Sequence, residues 1–436
     1  MKIAIINSVF GYGSTGRIVS DLAETYMKHG HKCLIVYGRK MTSGEKEKEL
    51  LKKYPGKCMF YCVGNSMVKL NNMVHGAASR IFDAHGRSSY LSTKLLIEWL
   101  EKEKPDVIHL HNLHGYYIHV GVLFDYIKKN NIKTIWTLHD CWSFTGHCSY
   151  FDYAKCNKWK EEGCSRCPQK KEYPSSIFLD HSRNNLEMKK KTFQGVKDLT
   201  LVTPSFWLKE QVEQSILRGY PCKVIHNGID LEVFCPKNEK NKRKEDELEK
   251  KKQYIVLGVA SVWNQRKGLS CFVSLAKKLS ENYQIVLIGL NKKQLQELER
   301  KKELKEYLRK IQGILRTNSV DELAEYYRNA DVFANPTLED NFPTTNLEAL
   351  ACGTPVVTYQ TGGSPECLAG EEKAGMVVEK GNIRELIKGI RKICEKPEPE
   401  KILQRRFCRR QAGKFGKQEK YEEYVKLLHA EENERT

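Results

Sequence analysis

Strand-like and helix-like runs alternate along this chain, and the alternation occurs twice. In the first half, "KIAIIN" (2–7), "KCLIVYG" (32–38), "DVIHLHN" (106–112), "KTIWTLHD" (133–140), "DLTLVTPS" (198–205) and "CKVIHNG" (222–228) are β-rich, with helical patterns between them. A Lys/Glu-rich run from Lys237 interrupts the pattern, which then restarts with "YIVLGVAS" (254–261), "YQIVLIG" (283–289), "DVFANP" (331–336) and "TPVVTY" (354–359). Alternation of this kind dictates parallel βαβ units with helices on both sheet faces. The expectation is therefore an α/β chain with two doubly wound, Rossmann-like domains. The first spans residues 1–236, the second 237–410, and a closing amphipathic helix within 411–436 carries Tyr421, Tyr424, Leu427 and Leu428 on one face. That helix is expected to pack back on the first domain. Ligands of such sheets bind beyond the carboxyl ends of the strands, so two facing domains would enclose a cleft.

Behind the first strand lies a G-x-G-x-x-G at Gly11, Gly13 and Gly16, the spacing of a dinucleotide-binding turn. A nicotinamide site also needs an acidic residue at the end of the second strand, and here that strand runs into Gly38, Arg39 and Lys40. What remains is a glycine loop at a helix N-terminus, where backbone N–H groups favour an anion. Gly13, Ser14 and Thr15 are the candidate anion contacts, with Gly16 allowing close packing of helix on strand.

Bulk composition narrows the classes further. Hydrophobic residues at 40% and charged residues at 29% of 436 fit a globular protein. No apolar run reaches the length of a membrane helix, and "MKIAIIN" is too short for a signal sequence. The expected location is cytoplasmic, at the inner face of the membrane, with the fifteen cysteines reduced. A net charge of +19 points to anionic partners: phosphorylated substrates, an anionic membrane surface or nucleic acid. No nucleic-acid motif accompanies the charge, so specific nucleic-acid binding is not expected.

The segment "NPTLEDNFPTTNLEALACGTPVVTYQTGGSPE" (335–366) combines a strand end, a loop with carboxylates, a helix start near Thr344 or Thr345, a Gly-Thr-Pro stop, a further strand and a Gly-Gly loop. Carboxylates accept from hydroxyl groups, and cations or helix N-termini hold phosphate. Glu348, one turn into the helix, and Glu339 or Asp340 suit hydroxyls. The backbone around Pro343 to Asn346, including Thr344 and Thr345 and next to Phe342, suits an anion. Just after the first strand of the second domain, "GVASVWNQRKGL" supplies two cations, Arg266 and Lys267. The sequence contains no D-x-D, so no catalytic metal is expected.

This ordered series resembles glycosyltransferase family 4, whose members are retaining transferases of the GT-B fold and include bacterial capsule and exopolysaccharide enzymes. The family's mark is a pair of acidic residues separated by seven, followed by Ala-Leu-Ala-x-Gly-x-Pro-Val-Val. Here Glu348 is the second acid and Asp340 stands where the family usually has Glu, with Glu339 beside it. The resemblance places His139, at the end of "TIWTLHD", near the donor sugar, Asp140 as its orienting partner or an acceptor contact, and Arg266 and Lys267 at the diphosphate. It implies a UDP-, GDP- or ADP-sugar donor, a glycan or lipid-linked acceptor, and surface polysaccharide biosynthesis. Other enzymes of similar architecture, a phosphorylase or a nucleotide-sugar epimerase, are the nearest rivals; a non-catalytic basic binding protein is a more distant one. His109, His111, Asn112 and His114 in "DVIHLHNLHG" read as packing or acceptor contacts.

An insert at 141–170 lies outside this resemblance. It holds Cys148, Cys156, Cys164 and Cys167, and Cys164-x-x-Cys167 is the compact half of a tetrahedral thiolate site. A structural zinc stapling a polar loop with little to bury is the expectation there, with free thiols or a redox pair as the alternatives.

Overall fold

A computed structural model describes residues 1–40, 52–54, 56, 58–160, 163–236, 253–302 and 305–429; the charged run that opens at Lys237 lies outside them. The chain divides into two compact units. Unit 1 comprises residues 1–226 with 418–436, and unit 2 comprises residues 227–417. The division falls before Lys237 because the segment after Asn227 is held by unit 2. Arg328 donates to the carbonyl of Cys235 at 2.7 Å, and Arg409 to those of Phe234 and Leu231 at 2.8 and 2.9 Å.

Unit 1 is built on strands β1 (Lys2–Asn7), β2 (Lys32–Tyr37), β3 (Cys58–Cys62), β4 (Val107–Leu110), β5 (Lys133–Thr137), β6 (Leu199–Thr203) and β7 (Cys222–Val224). They form one sheet in the order β3-β2-β1-β4-β5-β6-β7, every pair parallel. Helices α1 (Gly13–Lys28), α2 (Val68–Phe82), α3 (Tyr90–Glu103), α4 (Val120–Asn130), α5 (Ser182–Phe193) and α6 (Phe206–Glu213) make the connections. The order reverses between β1 and β4, the usual binding edge of a doubly wound sheet.

Unit 2 repeats the plan with β8 (Tyr254–Val259), α7 (Leu269–Lys278), β9 (Tyr283–Ile288), α8 (Lys292–Lys302), β10 (Ile311–Ile314), α9 (Val320–Asn329), β11 (Val332–Asn335), α10 (Thr344–Ala351), β12 (Val356–Tyr359), β13 (Gly375–Val378), α11 (Ile383–Cys394) and α12 (Glu398–Gly413). Its sheet runs β10-β9-β8-β11-β12-β13, again parallel, with the reversal between β8 and β11. Three strands not anticipated from sequence, β3, β10 and β13, are all sheet edges. An edge strand is covered less completely, and β3, β10 and β13 each have at least two half-buried or exposed positions.

The last helix, α13 (Lys417–His429), packs on unit 1. Tyr421, Tyr424, Leu427 and Leu428 are buried in the same cluster as Ile3, Ile5, Val19 and Tyr26. Thr137 on β5 donates to the Tyr424 hydroxyl at 3.3 Å, and Lys133 reaches the Leu428 carbonyl at 3.1 Å. Next to Tyr424, at a ring separation of 5.3 Å, sits His109 of β4. Its Nδ1 bonds the Tyr26 hydroxyl at 3.0 Å and its Nε2 bonds Thr137 Oγ1 at 2.9 Å. His109 is thus part of the packing, and burial pushes its pKa down to about 3, as it does for His75 of α2.

Two outcomes are expected. Tyr424→Ala removes a fully enclosed ring and costs about 3–5 kcal/mol of unit 1 stability, read as an earlier thermal transition, whereas Glu422→Ala on the outer face leaves the transition in place. The second concerns pH. An unfolded chain protonates His109 and His75 near 6.5, while the folded chain refuses those protons until about 3. Stability is therefore full above pH 6.5 and falls as pH drops below it. Melting temperatures measured from pH 7.5 to 4.5 check this, with a shallower slope expected for His109→Gln.

Candidate active-site residues

In unit 2, adjacency of β8 and β11 (Leu257 opposite Phe333) brings two loops together at their carboxyl ends. One carries Arg266 and Lys267, the other Glu339 and Asp340. The loops are laced to each other. Leu338 N–H donates to the Arg266 carbonyl at 2.7 Å, Arg266 Nη1 donates to the Glu339 carbonyl at 2.8 Å, and Lys267 Nζ pairs with the Asp340 carboxylate. Gly268 follows at φ +76°, and a Cβ there would stand 2.3 Å from the Pro336 carbonyl oxygen, so only glycine permits this approach. The Asp340 position is accordingly not a lone carboxylate. Its Oδ1 accepts from the Asn341 N–H at 2.9 Å while Lys267 holds its Oδ2.

Glu348 lies on α10, buried at 8% exposure. Its Oε2 accepts from the Tyr327 hydroxyl of α9 at 2.8 Å. Burial first, and the Glu348 charge second, raise the Tyr327 pKa far above its usual value, which keeps the phenol a donor and holds the carboxylate in one orientation. Sequence reasoning missed Tyr327: nothing in its local pattern separates it from an ordinary core tyrosine. Thr344 and Thr345 form the half-buried first turn of α10 behind Pro343, with no side-chain cap on that end. Two expected contacts turn inward instead. Asn346 is fully buried, accepting from Asn335 at 2.8 Å and donating to the Ser364 carbonyl at 3.4 Å. Phe342 packs against Phe415 at 5.6 Å, and its carbonyl accepts from Asn227 at 3.2 Å. Both shape the loop from below, as a tight strand-to-helix turn demands.

In unit 1 the glycine loop is compact. Gly11 N–H donates to the Gly16 carbonyl at 2.9 Å, and a Cβ on Gly16 would lie 3.0 Å from Val9 Cγ2, a tight approach of helix to loop. Gly13 and Ser14 are exposed at the start of α1, and Thr15 accepts from Asn7 Nδ2 at 3.4 Å.

Strand order also explains the histidines. β4 and β5 are neighbours, with Leu110 opposite Trp136, so the residues just beyond them meet. His111 Nδ1 and His139 Nε2 are 3.0 Å apart with rings nearly parallel at 16°. Burial, opposed by the Asp140 charge, holds His139 down to about 4, so it is a neutral hydrogen-bonding group at neutral pH. Asp140 turns away from it to His114, whose Nε2 is 2.7 Å from Asp140 Oδ2 and whose Nδ1 meets the Tyr173 hydroxyl at 3.1 Å. The His114 pairing and Tyr173 escaped the sequence reading because they join three separated stretches. His111, Asn112, His114, His139, Asp140 and Trp142 line a small, partly open pocket. Within it the buried His111 Nε2 and Trp142 Nε1 have no protein partner, which leaves donors and acceptors for a polar ligand.

The cysteine insert is held differently from the expectation. Among the described residues no three His, Cys, Asp or Glu side chains stand as a group able to hold a metal ion. Cys164 accepts from the Gly146 N–H at 3.1 Å, and Cys148 bonds Cys167, whose thiol that bond lowers to about 7. Nor is the insert short of apolar material, since Trp142, Phe144, Phe151 and Trp159 are all in the unit 1 core. Its staples include a buried hydrogen bond, His147 Nδ1 to Asp83 Oδ1 at 2.5 Å, and the enclosed Lys189, which donates to the carbonyls of Trp142 and Thr145.

Comparison with known proteins follows these features. The profile described as "Glycosyltransferase Family 4" matches residues 15–233, and that described as "Glycosyl transferases group 1" matches residues 238–410. The putative colanic acid biosynthesis glycosyl transferase WcaC of Escherichia coli K12 is 27% identical over 240 residues, covering 53% of this chain and 55% of that protein. An Escherichia coli UDP-Gal:alpha-D-GlcNAc-diphosphoundecaprenol alpha-1,3-galactosyltransferase is 28% identical over 178 residues, 39% of this chain and 45% of that one. The chain thus spans about half the length of these curated relatives. Among solved structures, sucrose-phosphate synthase from Thermosynechococcus elongatus superposes with a TM-score of 0.69 at 17% identity over 98% of both chains. Anabaena HepE in complex with UDP gives 0.68 at 14% identity, over 99% of this chain and 100% of that one. These likenesses establish the GT-B fold. With one profile running through unit 1 and the other through unit 2, the protein belongs to glycosyltransferase family 4.

Proposed function

We propose that the chain transfers a sugar from a nucleotide-sugar to a glycan or lipid-linked acceptor in surface polysaccharide biosynthesis, at the cytoplasmic face of the membrane. The observation that carries this reading is Glu348. It is a buried carboxylate fixed by Tyr327 on the helix that follows the switch-point strand, beside a loop pair carrying Arg266 and Lys267. That set suits a ribose and a diphosphate. The UDP held by HepE and the uridine donor in the name of the galactosyltransferase relative favour a UDP-sugar over GDP- or ADP-sugars.

In the mechanism we infer, unit 2 binds the donor. Glu348 accepts from the ribose hydroxyls, the first turn of α10 faces phosphate, and Arg266 and Lys267 stabilise charge on the leaving diphosphate. When donor binds, Lys267 exchanges part of its Asp340 contact for phosphate, which leaves Asp340, with Glu339, available to sugar hydroxyls. In unit 1, neutral His139 suits a sugar hydroxyl, and the N-terminus of α1 at Gly13, Ser14 and Thr15 suits an anion. The acceptor sugar occupies the cavity beside His114, Asp140 and Trp142, where an indole face and fixed polar groups suit a pyranose. Attack on the face the diphosphate leaves, with the departing phosphate oxygen taking the acceptor proton, retains the anomeric configuration and uses no protein nucleophile. Catalysis is then positioning and charge stabilisation. With two fixed cations at the diphosphate, the transfer step needs no divalent metal.

Glu348→Ala should lower transfer at least about 100-fold, the scale of losing one fixed transition-state contact; unchanged turnover would overturn the assignment. A thermal-shift series with UDP, GDP and ADP should show a rise with UDP, lost in Glu348→Ala and reduced in Arg266→Ala. Transfer that persists undiminished in EDTA is the outcome expected for metal independence.

A further inference from the structure

Helix α2 is amphipathic the wrong way round for a core helix. The face turned into unit 1 is polar. Asn72 Nδ2 donates to the Gly38 carbonyl at 2.8 Å, His75 bonds Ser89 Oγ at 2.8 Å, and Ser79 is buried. The outward stripe, at i, i+3, i+4 spacing, is Met67, Leu70, Val74 and Ile81, with Met73 at 66% exposure beside it. A second chain segment extends this surface. Ile177 N–H donates to the Arg80 carbonyl at 2.7 Å and Leu179 N–H to that of Ile81 at 3.3 Å, so Phe178, 68% exposed, is carried at the end of the helix. Contiguous exposed apolar side chains of this extent mark a surface that meets another apolar phase.

Charge selects that phase. Between Glu49 and Glu98 the only acidic residue is Asp83, and it is buried against His147. Lys69 and Arg80 flank the stripe on α2, and Lys170 reaches the Phe178 carbonyl at 3.1 Å. An outward apolar stripe with a one-sided basic border is the pattern of a helix lying in the headgroup region of an anionic bilayer. We infer that α2 and the 177–179 segment form a membrane-docking surface that seats unit 1 on anionic lipid.

The surface is also well placed. Behind α2, the His75 ring is 6.2 Å from that of His85, and His85 is 5.3 Å from Trp142 in the cavity wall. Seated this way, unit 1 would take the sugar of a lipid-linked acceptor into the cavity while the lipid tail stays in the bilayer. This last step rests on the acceptor proposed above; docking itself does not.

The test is flotation of the full chain with vesicles of phosphatidylcholine alone and of phosphatidylcholine with phosphatidylglycerol. Wild type should float with the anionic vesicles only. Met73→Asp combined with Phe178→Asp should reduce the floated fraction at least about tenfold, because each places a charge where an apolar group would enter the interface. Both positions are exposed, so the thermal shift with UDP should match wild type and exclude misfolding. No flotation of wild type, or equal flotation of the double variant, overturns the inference. A wild-type dimer by analytical ultracentrifugation, lost in the double variant with no vesicle binding, also overturns it in favour of a second copy as the occupant. The thermal shift with UDP separates the two readings, since no shift in wild type would count against the proposed function and leave the flotation result standing.

Discussion

Every strand pair among the described residues is parallel, and this constraint governs where the molecule can do chemistry. A parallel sheet is covered by helices on both faces, so its strands are apolar throughout and polar side chains are expelled to the ends. In each unit the switch in strand order separates two adjacent connections at the carboxyl edge and opens a place for a ligand. The Arg266–Lys267 and Glu339–Asp340 loops of unit 2 occupy that edge, as does the glycine loop of unit 1, with the His111–His139 contact one strand along.

The same packing sets the electrostatics. Groups that would be charged in water are enclosed in unit 1 and held neutral or paired. Burial keeps His139 near 4 and Lys189 near 7, and the buried Asp83 is hydrogen-bonded to His147. Lys189 is also 3.7 Å from the Trp142 ring centre, so its charge is shared between carbonyls and an aromatic face. These interactions anchor the cysteine insert to α2 and α5, and Trp142 beside them lines the pocket at the end of β4 and β5. In unit 2 the polar groups are laced together, Lys267 to Asp340 and Tyr327 to Glu348, so each is held in one orientation by a neighbour.

Much of this was legible in the residues, for identifiable reasons. Central strands are long apolar runs bounded by Gly, Asn or Pro, so β1, β2, β4, β5, β6, β8, β9, β11 and β12 could be read directly. The short edge strands β3, β10 and β13 could not, because half-exposed positions dilute the pattern. Glu348, Arg266 and Lys267 stood out because their spacing sits inside a strand–loop–helix frame. A loop sequence does not say which side chains face down, so the burial of Phe342 and Asn346 came only from the fold. The apolar anchors of the insert, Trp142, Phe144, Phe151 and Trp159, likewise went unread beside its cysteines.

By itself the sequence determined the two α/β repeats, the glycine loop and the strand–loop–helix frame around Glu348, because local periodicity and motif spacing are properties of neighbouring positions. Tertiary structure alone decided which groups meet across long separations. Tyr327 met Glu348, Asp140 met His114 and Tyr173, and Tyr424 closed over His109. It also decided the outward turn of the α2 stripe. Periodicity marks a helix as amphipathic, but only the packed fold shows whether its apolar face is buried or left to meet a partner.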